Sequence, residues 1–349
     1  MMQALSISSY AQEKEAKKRN FFQRLGHNMY EFVKDFSRVD TNYVEPQHYN
    51  YTVMLQNTNT YEMYRLSPAN GISFKFAPKP SVKLGPYVGW RWIFLGYTID
   101  LKHLSSDNKK KEFDLSLYSS QIGVDLFYRR TGDDYRIRTA SLGDVDTSPL
   151  HNVSYDGLTA SIKGLNLYYI FNHKKFSYPA AFSQSTVQKK SCGSPMVGIG
   201  YTVHSLKVDW DKMSSLIDEH LGDEVSGKYL KVEEASSKVN YTDISISGGY
   251  GYNYVFAPQW LFAASLSVAL AYKSTTSELE SDKLSFRNFS IKNFNVDGVG
   301  RFGIVWNNNK WYVGSSAILH SYNYSKKQFS TNNVFGSLNV YVGVNFGKR

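Results

Sequence analysis

The chain has 349 residues and a single cysteine, Cys192. An intrachain disulfide is therefore impossible, and no disulfide framework reports its compartment. Nothing around Cys192 resembles an activated thiolate, so it reads as an incidental small residue. Long apolar runs are also missing. Without a stretch of about 18 apolar residues, membrane-spanning helices are excluded. The net charge of +10 is scattered rather than gathered into a basic stripe, and no nucleic-acid reading motif accompanies it. Nucleic acid is accordingly not an expected partner. The glycine-rich steps at 248–251 and 298–300 have no lysine after them and lie inside strand-like runs. They mark close packing or curvature rather than phosphate loops. Metal-ligand spacing is absent as well. The stretch holding Asp209, Asp211, Asp218, Glu219, Asp223 and Glu224 lacks the glycine and rhythm of a calcium loop. No metal, cofactor or catalytic residue is expected.

What the sequence does have is aromatic residues, 27 Tyr and 21 Phe, in alternating patterns. The stretch from Trp260 to Tyr272 sets the reading. Trp260, Phe262, Leu266, Leu270 and Tyr272 share one phase, opposite small or weakly polar residues at the odd positions. Strand side chains alternate between faces, so one face is apolar and capped by an aromatic at each end. A tilted membrane strand needs roughly 9–11 residues, and barrels carry aromatic belts at both interfaces. The same alternation recurs at 197–204, 243–256, 293–306 and 334–346. A soluble sandwich would place more Lys and Glu on its outward face; here the charges sit mainly in loops. The negative mean hydropathy agrees, because half of each barrel strand faces a polar lumen.

The expected fold is all-β, an antiparallel transmembrane β-barrel of about 12 strands (10–14) with a short N-terminal amphipathic helix. Residues 1–12 look like the remnant of a secretory signal peptide, with a small-x-small step before Gln12. Residues 13–40 show helical spacing at Phe22, Leu25, Met29, Phe32, Val33 and Phe36. Residues 41–349 form the barrel. Two runs, 113–130 and 158–171, switch apolar phase near Ser119 and Gly164; a bulge or a change of exposure would produce this. Three-residue and four-residue connections (258–259 with Ala257, and 307–310) contrast with long polar ones at 209–239, 273–291 and 323–333. Tight periplasmic turns and longer outer loops follow that rule. It places Arg130–Asp134 and Asn172–Lys175 outside. Met213, Leu216, Ile217 and Leu221 suggest a short helix over the mouth.

The lipid-facing set is Trp260, Phe262, Leu266, Leu270, Tyr272, Tyr252 and Val342. The lumen-lining set is Asp243, Asn253, Asp297, Arg301, Asn339, Tyr341 and His204. Asp297 and Arg301 share a face and are expected to pair with each other or with Asp243, Asn253 or Asn339. At about twelve strands, with these side chains inside, the lumen is expected to be narrow or occluded.

The ending GSLNVYVGVNFGKR resembles the terminal strand of outer-membrane barrels, with Phe346 at the position of the final aromatic, three residues from the end. That resemblance implies recognition by the barrel-assembly machinery. The stretches GWRWIFLGYTIDL and SYPAAFSQSTVQKKSCGSPMVGIGY resemble domain-of-unknown-function family 4421 of Gram-negative bacteria, over roughly residues 40 to 349. The resemblance implies an outer-membrane-like barrel and brings no activity.

The functional expectation is a non-enzymatic protein of the Gram-negative outer membrane, a narrow-lumen pore or envelope scaffold whose partner is outer-membrane lipid. The alternative is an outer-leaflet lipid hydrolase or acyltransferase using His204 or His320. Within His204-Ser205 and His320-Ser321 the two side chains point to opposite faces, so neither pair is a dyad by itself. A third reading is a soluble periplasmic β protein whose apolar rows are covered by other protein.

Overall fold

A computed structural model describes residues 39–68, 71–79, 81–90, 93–96, 99–100, 111–132, 134–230, 237–277, 293–326 and 329–348. The expected signal remnant at 1–12, and all but the end of the expected helix at 13–40, lie outside the described residues. The strands are β1 (Val44–Pro46), β2 (Tyr49–Pro68), β3 (Ser73–Pro78), β4 (Ser81–Trp90), β5 (Ile93–Gly96), β6 (Ile99–Asp100), β7 (Lys111–Tyr118), β8 (Ile122–Arg130) and β9 (Tyr135–Ser141). They continue as β10 (Leu158–Ile170), β11 (Thr186–Gln188), β12 (Cys192–Val208), β13 (Lys238–Ala257), β14 (Trp260–Ser277), β15 (Phe294–Asn307), β16 (Trp311–Lys326) and β17 (Phe329–Lys348). Helices are α1 (Tyr178–Phe182), α2 (Trp210–Leu221) and α3 (Asp223–Tyr229).

Antiparallel ladders join twelve strands in the order β5-β4-β2-β17-β16-β15-β14-β13-β12-β10-β8-β7. The last strand returns to the first long one, with Phe346 opposite Tyr51 and Phe329 opposite Pro68. The sheet is curled. Arg301 of β15 and Asp125 of β8 form an ion pair although their strands stand five places apart. On a flat sheet that is about 24 Å. No ladder joins β5 or β6 to β7 among the described residues, but Lys83 of β4, one strand in from that edge, forms an ion pair with Glu112 of β7.

Hydropathy inverts along single strands, which sets the membrane boundary. On β13 the outward residues Lys238, Asn240 and Thr242 are polar, whereas Ile244, Ile246, Tyr250, Tyr252, Tyr254 and Phe256 are apolar and exposed. At the polar level the inward residues Val239 and Tyr241 are buried in a dry core. The thirteen residues from Ile244 to Phe256 span about 43 Å of strand. Tilted near 45° they cover a typical hydrocarbon core. On β10, Leu158, Ala160 and Ile162 face inward and buried, while Leu165, Leu167 and Tyr169 are exposed outside. The phase switch near Gly164 is thus a change of surroundings on a continuous strand. Near Ser119 it has another cause. There the chain turns between β7 and β8, and Ser119 Oγ accepts from the amides of Gln121 and Ile122.

Both ends of the curled sheet are filled by the chain itself. At the long-connection end, β3 and β9 pair and pack with α2 and α3 into a lid. Tyr64, Phe74, Phe76, Tyr135, Tyr155 and Trp210 fill its core, against Leu206, Val208, Tyr322 and Phe335 of the wall. Asp209 caps α2 by accepting from the Lys212 amide, and Tyr155 donates to the Asp209 carbonyl at 2.6 Å. At the tight-turn end, residues 171–191 turn inward as a plug containing α1 and β11, the latter paired with β1. Ser177 caps α1, and Pro179 occupies its first turn, where a missing amide donor costs nothing.

Three connections differ from the expected ones. Asn172–Lys175 lies at the tight-turn end, because β10 crosses once and Ile170 donates to the Gln121 carbonyl beside the β7–β8 turn. The segment 323–333 is not a long loop. Ladders run out to the Lys326–Phe329 pair. β14 likewise continues to Ser277, taking in the first five residues of the stretch read as loop, since Lys273 and Thr275 are inward and buried.

Candidate functional site

The interior between lid and plug holds nearly all the charge that the strands carry inward. Three levels can be distinguished, and each is built from the inward phase of several strands.

Nearest the lid, β12, β13, β14 and β15 bring together His204, Asp243, Lys273 and Asp297, all at most 5% exposed. Lys273 Nζ lies 3.0 Å from the Asp297 carboxylate and 3.8 Å from Asp243, and it also donates to the Asn323 carbonyl. His204 Nε2 lies 3.1 Å from Thr202 Oγ1 and 3.5 Å from Asp243, and its ring stacks on Tyr241 at 4.2 Å. Both partners face the same ring nitrogen, so this is not the relay in which a carboxylate orients one nitrogen while the other takes a proton from a hydroxyl.

At mid-depth, Arg301 is held by Asp125 through Nη2, and its guanidinium lies 5.3 Å from the Tyr168 ring centre and 5.8 Å from that of Tyr178. Arg129 reaches Asp114 at 2.9 Å and stacks 4.9 Å from the Phe335 ring centre. His320 packs between Phe127 and Phe335. The expected pairing of Arg301 with Asp297 does not form. Four residues along a strand are about 13 Å, beyond reach on one face. Each finds its partner on another strand.

Next to the tight-turn end, wall side chains hold the plug. Asn253 donates to the Ser177 carbonyl at 2.8 Å and to Gln188 Oε1 at 3.0 Å. Gln184 donates to Tyr341 Oη at 2.7 Å, and Tyr178 Oη lies 2.7 Å from Ser265 Oγ. A cavity of about 240 Å³ remains beside the plug, with Gln56, Asn339, Arg129 and Arg301 on its wall.

All seven residues read as lumen-lining lie on the inner face, but they divide among these levels: His204, Asp243 and Asp297 under the lid, Arg301 in the middle, Asn253 and Tyr341 on the plug, Asn339 on the cavity. Of the lipid-facing set, Trp260, Phe262, Leu266, Leu270, Tyr252 and Val342 are exposed on the outer face and Tyr272 is half-buried there. Phe346 faces outward and stacks on Tyr51 at 5.6 Å. Asp125, Arg129, Lys273 and Tyr178 were missed. Asp125 and Arg129 share the phase of Gly123 and Phe127, and that phase was the available signal.

No group of three or more His, Cys, Asp or Glu side chains able to hold a metal occurs among the described residues. What the arrangement does chemically is neutralise buried charge and fix two inserted segments.

These features define the class: a curled antiparallel β-barrel of the outer-membrane type, apolar outside and filled within. The chain belongs to the family described as Domain of unknown function (DUF4421), whose model matches residues 38–346. Among solved structures it is similar to the outer membrane protease OmpT of Escherichia coli, at 7% identity and TM-score 0.35, covering 85% of this chain and 97% of that one. It is similar to the toluene transporter TodX of P. putida, at 9% identity and TM-score 0.24, covering 86% and 91%. The translocator domain of the autotransporter NalP from Neisseria meningitidis matches at 9% identity and TM-score 0.29, covering 93% and 96%. A search of curated proteins finds no match.

Proposed function

We propose that this barrel is a non-enzymatic envelope scaffold of the Gram-negative outer membrane, with a lumen occluded rather than open. One observation carries the reading: the interior is filled from both ends by lid and plug, each anchored to the wall by buried side chains. Barrels of intermediate strand number have room for either a channel or an inserted segment, and this chain supplies the segments. Refolded full-length protein in a planar lipid bilayer is expected to give no steady conductance at any voltage; a stable ohmic current would sink the proposal.

The surroundings of the two histidines support the non-enzymatic part. His204 contacts Thr202 and Asp243 in a dry core beneath the lid, and His320 is stacked among aromatic rings. Outer-membrane lipid is the partner of the exposed apolar belt. Phe346, outward near the tight-turn end, is the proposed assembly signal. Phe346→Ala is expected to lower the folded, heat-modifiable fraction in membranes while leaving refolding in detergent unchanged.

A further inference from the structure

The 240 Å³ cavity is walled by inward side chains of β2, β4, β7, β8, β15, β16 and β17 and by the end of the plug. Two arginines stand on its wall, Arg129 at 2% exposure and Arg301 at 4%. Each uses only part of its donor set. Arg129 gives Nη2 to Asp114; Arg301 gives Nη2 to Asp125 and Nη1 to Tyr178 Oη at 3.4 Å. Nε and Nη1 of Arg129 and Nε of Arg301 are buried without a hydrogen-bond partner, as is Nδ1 of His320 on the same wall. Guanidinium nitrogens only donate, so what this wall lacks is acceptors. Charged donors buried unmatched are costly, and an acceptor-bearing solute relieves that cost.

The balance of charge narrows the class. Each arginine already faces one carboxylate, so the excess is in donors rather than in positive charge. A phosphate dianion would meet Asp114 and Asp125 as like charges, whereas a singly charged carboxylate matches the guanidinium fork without overloading the wall. Met54, Phe182 and Ile318 on the same cavity offer an apolar surface. Access is present too. The side chain of Asp114 is 50% exposed and Ser116 is exposed, so the cavity reaches the surface beside β7 without displacing lid or plug.

We propose that this cavity binds a small monocarboxylate with a short apolar body, its carboxylate turned to Arg129 and Arg301. The test uses refolded full-length protein in detergent micelles, titrated calorimetrically with sodium benzoate, benzyl alcohol and inorganic phosphate. Saturable benzoate binding is expected, with no competition from phosphate and none of comparable strength from benzyl alcohol. Arg129→Met should weaken it about tenfold or more, and Arg129→Lys less. Absence of saturable benzoate binding, equal binding of benzyl alcohol, or an unchanged affinity in Arg129→Met each overturns the proposal. Should Arg129→Met not reach the heat-modifiable folded form, Ser316→Trp decides. It narrows the cavity with both arginines intact, so loss of binding in the folded variant supports the site and retained binding refutes it. Conductance plays no part in these readouts.

Discussion

At the residue scale, the interior charges matter most for what their loss leaves behind. Arg301 and Asp125 are both buried and paired across the barrel. Replacing Arg301 with Met strands a carboxylate, which costs about 3–5 kcal/mol, whereas replacing both partners with apolar residues of similar volume is nearly neutral. A double-mutant cycle on thermal unfolding, with Arg301→Met and Asp125→Leu, is therefore expected to be strongly non-additive. Additive losses would show that the pair does not act as a unit. In the lid, burial raises the phenols of Tyr135 and Tyr155 above the usual tyrosine value. Their folded value exceeds the unfolded one, so their contribution is complete below about pH 10 and is lost as the pH climbs through the folded value. Spectrophotometric titration of Tyr155→Phe should lack one late-titrating phenol compared with the parent chain. These residues also mark the limit of sequence reading. The phase of β15 put Asp297 and Arg301 inside, but a partner on a strand five places away has no signature in spacing. Lys273 was hidden differently: a lysine after Tyr272 looks like the beginning of a solvated loop, and only the ladder with Asp243 opposite shows that the strand continues inward.

At the scale of elements, β12 to β15 and β17 were legible because each crosses the hydrocarbon belt with one apolar face, and period-two alternation survives there. By contrast, β16 carries Ser315, Ala317 and Ser321 in its outward phase and gives no such signal. Where the belt ends the signal reverses, since lid and plug make the inside the dry side. That reversal obscured β10. The β7–β8 turn, read from the sequence as a change of phase, contains no glycine or asparagine; a serine hydroxyl does their work. The plug was invisible for a plainer reason. Its helix is five residues long, too short for any period to register. The boundary itself is open to measurement. Leu266→Arg, on the outer face at mid-belt, is expected to cost about 2–4 kcal/mol in refolding into lipid vesicles. Ser205→Arg, outward on β12 beyond its apolar residues, is expected to cost under about 1 kcal/mol. Equal costs would remove the assigned boundary.

For the whole molecule, the distinction from an open channel lies in two inserted segments rather than in the number of strands. Deleting residues 174–188 and closing the gap with a short glycine–serine turn is expected to yield a folded barrel with measurable conductance only if the lid admits water. Adding Trp210→Ala, which removes a fully buried ring from the lid core at about 3–5 kcal/mol, should raise that current further. A doubly altered barrel that is folded yet electrically silent would show that the wall side chains alone close the path.

The pairing of β17 with β2 carries a consequence for how the molecule comes into being. Thr52 Oγ1 hydrogen-bonds the Val344 carbonyl, 292 positions away. Among the described residues the first long strand pairs with β4 on one side, but finds its other neighbour only in the final strand, so the sheet cannot be completed until the end of the chain is in place. Bringing such distant ends together precedes any reward from their contact, which makes this a slow step. Until then the exposed apolar residues of the outer face lack a complete sheet to carry them.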